Sequence, residues 1–197
     1  ALCNLIILNG GNDYAMGGLG HDTIFGGTGA DSVIGDRGLA TDTLGNDLID
    51  LGAGHDTARG GFGNDTILGG ADNDLLDGEA GADRLEGGTG DDTLAGGLGA
   101  DTLYGGAGND AIESDATLVT LANSFADLAY GGAGDDTIYS GGGNDTIYGD
   151  DNATLGLGDD LIYVDAGIDL VYGGAGGDTV YAGAGADRLF GDLGNDI

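Results

Sequence analysis

Gly87 to Glu113 reads GGTGDDTLA, GGLGADTLY, GGAGNDAIE, three nine-residue units joined without a gap. Each has the form Gly-Gly-x-Gly-x-Asp-x-U-x, with U a large apolar residue. The first six residues of a unit predict a tight turn, because three glycines in four positions cost too much backbone entropy in a helix or a strand. Glycine also admits positive φ and close backbone approach, so several carbonyl oxygens can aim at one spot. The Asp at the sixth position adds a carboxylate to that spot. Carbonyl and carboxylate oxygens without His or Cys suit Ca²⁺. The last three residues, such as Thr102-Leu103-Tyr104, predict a strand with only the middle side chain pointing inward. Such a strand has no core of its own and must stack on copies of itself.

Two units make one coil, with turns on opposite edges and two parallel sheets face to face. The expected fold is therefore all-β, a parallel β-roll, in which a turn lies about 4.8 Å from the turn two units away. A cation between two such turns would be shared by two carboxylates and by carbonyls from both. The candidate metal ligands are Asp13, Asp22, Asp31, Asp47, Asp56, Asp65, Asp74, Asp83, Asp92, Asp101, Asp110, Asp127, Asp136, Asp145, Asp160, Asp169, Asp178, Asp187 and Asp196.

The repeat resembles that of the RTX family, the haemolysin-type calcium-binding repeats. The resemblance implies a β-roll that binds several calcium ions, in a secreted or cell-surface bacterial protein. RTX repeats accompany toxins, proteases, lipases, adhesins and surface-layer proteins, so the resemblance does not name the parent activity.

Outward from the founding stretch, the units predict one domain over residues 1–197. Residues 1–16 read as a degenerate capping coil, with Asn4 at the Asp position and Leu5-Ile6-Ile7 as its strand. Three irregular spacings, Asp31 to Asp47, Asp110 to Asp127 and Asp145 to Asp160, predict turn insertions near 39–44, 117–125 and 152–157. Asp72 and Glu79 stand where two of the glycines should be. The chain opens at Ala1 and stops inside a repeat at Ile197, which reads as a piece of a longer protein or a protomer whose ends meet other chains.

Composition agrees. Gly numbers 47 and Pro zero, and the glycines keep register, which is periodic backbone chemistry and not disorder. The net charge is −31, and the only cations are Arg37, Arg59, Arg84 and Arg188. Nucleic acid is excluded as a partner, since it needs a basic surface. Such a chain repels itself, and about one Ca²⁺ per pair of adjacent same-edge turns would roughly cancel its charge. Disorder without calcium and a rigid rod with it are expected. A single Cys forms no internal disulfide, and no stretch is long enough to span a bilayer. Ala1 to Leu8 lacks the basic region of a signal peptide.

The inward row is expected to comprise Ile24, Val33, Ile49, Ile67, Leu76, Leu85, Leu94, Leu103, Ile112, Ile138, Ile147, Ile162, Val171, Val180 and Leu189. Tyr recurs at the last, outward position. Tyr104, Tyr130, Tyr148, Tyr172 and Phe190 are expected in one ladder, and Tyr139, Tyr163 and Tyr181 in another. These serve either cross-strand stacking or docking of a partner or glycan. His21 and His55 read as solvated turn residues and Cys3 as a small packing residue. Catalysis is not expected: each Asp sits in the same setting, and no unit carries a distinctive Ser, His or Lys. Two other roles stay open. One is head-to-tail self-association through the roll ends or the Tyr ladder, as in a filament, surface layer or adhesin. The other is an ice- or polysaccharide-binding face built on the Thr row from Thr23 to Thr179, which Leu75, Arg84, Leu128, Leu161 and Arg188 interrupt.

Overall fold

The computed structural model describes residues 2–36, 45–115, 125–150 and 158–197, and every regular element among them is a strand. One ten-stranded sheet runs Leu5–Ile7, Thr23–Thr28, Leu48–Ala53, Thr66–Ala71, Arg84–Thr89, Thr102–Ala107, Leu128–Ala133, Thr146–Asp150, Leu170–Gly176 and Arg188–Gly194 in spatial order. The nine-stranded sheet runs Tyr14–Met16, Ser32–Ile34, Thr57–Phe62, Leu75–Ala80, Thr93–Gly97, Ala111–Asp115, Thr137–Tyr139, Leu161–Tyr163 and Thr179–Tyr181. Consecutive strands thus alternate between sheets, and neighbours within a sheet are parallel, as in Thr93 against Ala111 and Thr102 against Arg84. This is the expected parallel β-roll. A small third sheet joins Gly142–Gly143, Ala166–Gly167 and Ala184–Gly185.

The strands are longer than three residues. Thr66–Ala71, for example, runs through both leading glycines of the next unit, and Gly70 pairs with Gly52 and Gly88. The expectation that a whole six-residue segment leaves the sheet is therefore corrected. The first glycine continues the alternation, facing the interior beside the buried apolar residue, where a hydrogen is the only side chain that leaves the turn carboxylate its room. The second glycine stays in the ladder with φ near 112° at Gly70, a conformation closed to ordinary side chains. Where glycine is missing, Asp72 and Glu79 move to φ of 75° and 68°, the left-handed region.

The core is the inward row. Ile24, Ile49, Ile67, Leu85, Leu103, Ile147 and Val171 come from one sheet, and Val33, Leu76, Leu94, Ile112, Ile138 and Ile162 from the other, all fully or almost fully buried. Ala15, Ala58 and Ala129 occupy the same position with smaller side chains. Two expected members differ: Val180 is only half-buried and Leu189 is 42 % exposed, because the last coils described have fewer neighbours over them. Leu51 and Val164 are buried additions at the first turn position.

The insertions near 39–44, 117–125 and 152–157 lie outside the described residues, apart from Phe125, which is exposed. Their flanks keep register. Thr23 pairs with Leu48, Thr102 with Leu128 and Thr137 with Leu161, so the extra residues leave inward and outward faces unchanged. At the other end of the chain, Leu5 pairs with Thr23 as an ordinary rung.

Both aromatic ladders form in the expected order. Tyr104, Tyr130, Tyr148, Tyr172 and Phe190 stack with centroids 4.8–5.0 Å apart, as do Tyr139, Tyr163 and Tyr181 at 4.7–4.8 Å. Arg84 caps the longer stack, 4.3 Å over the Tyr104 ring. Replacing Tyr148 by Ser removes two stacked pairs, each worth about 0.5–1.5 kcal/mol beyond burial. Faster hydrogen exchange is expected in the rungs from Tyr130 to Tyr172 of the folded protein. Exchange unchanged from the parent would mean that the stack adds no stability.

Candidate metal centre in the glycine turns

Every turn Asp singled out from the sequence falls into one of two rows, one along each edge of the roll. The backbone N–H of each Asp donates to Oδ1 of the Asp one coil later. On one edge the chain of bonds begins at Asn4 and runs through Asp22, Asp47, Asp65, Asp83, Asp101, Asp127, Asp145 and Asp169 to Asp187, at 2.6–3.1 Å. On the other it begins at Asp13 and runs through Asp31, Asp56, Asp74, Asp92, Asp110, Asp136, Asp160 and Asp178 to Asp196, at 2.6–3.2 Å. Asn4 has no carboxylate yet donates its amide as the others do.

The second oxygen is the informative one. Except at Asp187 and Asp196, Oδ2 of every Asp in these rows is buried without a hydrogen-bond partner. Burying a carboxylate oxygen unpaired is costly. Oδ2 faces a small space bounded by carbonyls: a Cβ built on Gly78 would come 2.6 Å from both Asp83 Oδ2 and Gly96 O, and one on Gly69 would come 2.5 Å from Asp74 Oδ2 and 2.6 Å from Gly87 O. Only glycine leaves that space open. Oxygens from two successive coils thus converge there. Among the described residues no three His, Cys, Asp or Glu side chains form a metal cage by themselves; the donor set is carboxylate plus main-chain carbonyl, a hard-oxygen set that fits Ca²⁺. The turns therefore suit a calcium ion.

Electrostatics agrees. Burial raises the Asp83 carboxyl to about 8, opposed by the Asp65 backbone amide and reinforced by the charges of Asp65 and Asp101. Burial likewise raises Asp127 and Asp136 to about 8, Asp47, Asp74 and Asp160 to about 7, and Asp65, Asp101 and Asp110 to about 6. Without a cation Asp83, Asp127 and Asp136 would keep a proton at neutrality, whereas Asp65, Asp101 and Asp110 would be mostly ionised.

The description of the matching family is the RTX calcium-binding nonapeptide repeat (4 copies), and it matches residues 8–39, 41–76, 52–85, 77–112, 121–154, 149–171 and 163–197. The chain belongs to the RTX calcium-binding repeat family. It is a calcium-binding repeat module, and the β-roll described above is the fold that its RTX repeats build. No curated protein matches the chain.

A further row was not foreseen. The fifth turn position, read as variable and solvated, carries a second ladder of side-chain acceptors. Asn64 Oδ1 accepts the Ala82 N–H at 3.1 Å, Asp91 Oδ1 the Asn109 N–H at 3.0 Å, and Asn109 Oδ1 the Asp135 N–H at 3.1 Å. His21 and His55 belong to it: Nδ1 of each accepts the N–H of Asn46 and Asn73, at 2.7 and 3.1 Å. Both stay exposed in the turns, as expected, and each also accepts a neighbouring amide. The available signal was that His, Asn and Asp all offer a short acceptor there. Cys3, expected to pack, is exposed because it precedes the first rung.

Proposed function

We propose that this chain is a calcium-dependent structural module of a secreted or cell-surface bacterial protein, unfolded before export and folding on calcium outside the cell. The two rows of buried, partnerless Oδ2 atoms carry this reading. The nineteen Asp ligands named from the sequence, Asp13 through Asp196, would hold the ions, each between turns one coil apart and assisted by glycine carbonyls. Calcium when bound supplies the positive charge that lets adjacent carboxylates stay ionised side by side. The chain's own part is to present Oδ2 inward, to fix Oδ1 on the neighbouring amide, and to keep water from the space with glycine corners. Family membership supports secretion, since RTX repeats belong to exported proteins. The lack of any distinctive nucleophile or base in the repeated setting supports a structural role over a catalytic one.

An ice-binding face is disfavoured. In the ten-stranded sheet Thr102 stands between Arg84 and Leu128, so the Thr row is interrupted at neighbouring rungs.

Calorimetric titration with calcium is expected to show binding of many ions per chain, accompanied by growth of the β signal in circular dichroism. No heat and no spectral change at millimolar calcium would overturn the reading.

A further inference from the structure

The three turns interrupted by extra residues share a feature absent from the nonapeptide pattern. Gly35-Asp36, Ser114-Asp115 and Gly149-Asp150 each place an Asp at the second turn position, where the founding stretch has Gly88, Gly97 and Gly106. All three are buried, at 1 %, 7 % and 8 % exposure. Asp192 takes the same turn position without an insertion, and it is exposed.

Register fixes where these residues lie. Asp115 pairs with Gly97 and Asp150 with Gly132, so each sits on the sheet edge beside the carboxylate rows. One oxygen does structural work. Oδ2 of Asp36 accepts the Gly45 N–H at 3.0 Å, Oδ2 of Asp115 the Gly142 N–H at 2.9 Å, and Oδ2 of Asp150 the Ala175 N–H at 2.6 Å. Capping an amide needs no more than that. At Asp115, however, Oδ1 is buried without a hydrogen-bond partner, and so is Oγ of the adjoining Ser114. Two orphan oxygens in one turn require something to receive them. Asp115 lies beside the row: it pairs with Gly97 in the ladder and caps the amide of Gly142, three residues before the row member Asp145. A Cβ on Gly45 would meet Asp36 Oδ2 at 2.7 Å and Asp47 Oδ1 at 3.1 Å, so these two carboxylates face one spot. Gly149, the residue before Asp150, lies against Asp160 Oδ2 in the same way.

We propose that Asp115 is an additional calcium ligand, and that with Asp36 and Asp150 it marks three sites that bind calcium more tightly than the regular ones. This rests on the calcium reading above and adds a hierarchy to it. Calcium affinity follows the number of charged ligands and the rigidity of the site. A second carboxylate from the same turn raises the first, and a buried oxygen fixed on a neighbouring amide raises the second. The insertion-bearing turns, which break the repeat, would then be held by the strongest ions.

The test is a calcium titration against a competing chelator on the whole chain, comparing the parent with D115N, the triple variant D36N/D115N/D150N, and D192N. Asn keeps an oxygen for the capped amide and removes the charge, so a purely structural role leaves binding unmoved. D115N is expected to weaken one tight site by about tenfold or more, the triple variant to lose the tight class, and D192N to match the parent. Terbium luminescence lifetimes of D115N should report an added water on one bound ion, a readout that stands even if the triple variant fails to fold. Isotherms and lifetimes identical to the parent would overturn the hierarchy and leave the calcium reading intact. A parent chain that binds no calcium would overturn both.

Discussion

Stripped of calcium at pH 8, the chain is expected to lose its β signal and swell to the dimensions of an unfolded polymer. The net charge of −31 already opposes compaction. The fold worsens this by placing carboxylates of successive coils in rows with Oδ2 buried and unpartnered. Protons are the one substitute for the missing cation. Burial raises Asp83, Asp127 and Asp136 to about 8, and Asp47, Asp74 and Asp160 to about 7, from an ordinary value of 3.8. Their folded pKa values exceed the unfolded one, so the calcium-free roll binds more protons than the unfolded chain. Its stability is greatest below about 4 and is lost as pH rises through 6 to 8. In chelator, circular dichroism is therefore expected to show β structure growing as pH is lowered from 8 to 5. Calcium should make the fold insensitive over the same range. A calcium-free chain that is equally folded at pH 8 and pH 5 would show that the buried carboxylates are not what calcium relieves.

The second large effect concerns the third glycine of the turn. Gly99 has φ of 139°, and a Cβ there would run into the carbonyl oxygen of Gly81 in the preceding coil. Asp72, at the equivalent position, escapes by shifting to φ of 75°. Asn and Asp tolerate that left-handed region, whereas β-branched residues do not. Gly99→Asn is therefore expected to fold with a modest loss. Gly99→Val should cost on the order of 3 kcal/mol or more, from left-handed strain and the backbone displaced by the clash. In a stack where each coil touches only its neighbours, that loss splits the roll locally. Limited proteolysis in calcium should cut Gly99→Val near residue 99 and spare Gly99→Asn. Equal resistance of both variants would count against the steric account.

The sequence made the two Asp rows and the buried Ile and Leu row plain, because a period of nine places each type identically in every coil. It said less where glycine has two uses. Gly69 and Gly70 read as a turn, yet they lengthen the strand Thr66–Ala71, since a ladder requires only backbone groups in line. Asn64, Asp91 and His55 read as variable because their names differ, while the amide bond that each accepts is the same. Asp115 stayed hidden for a third reason. It lies beside an interruption of the repeat, and a reading based on period has least to say where the period fails.

Length in this molecule is counted in steps and not in residues. Each coil adds one strand to each sheet, about 4.8 Å of rise, and the pairings Thr23 to Leu48 and Thr102 to Leu128 show that residues added between coils add nothing along the axis. The protein is therefore a ruler whose graduations are fixed. Residues can be inserted between coils without changing the distance it spans, which changes only by whole coils.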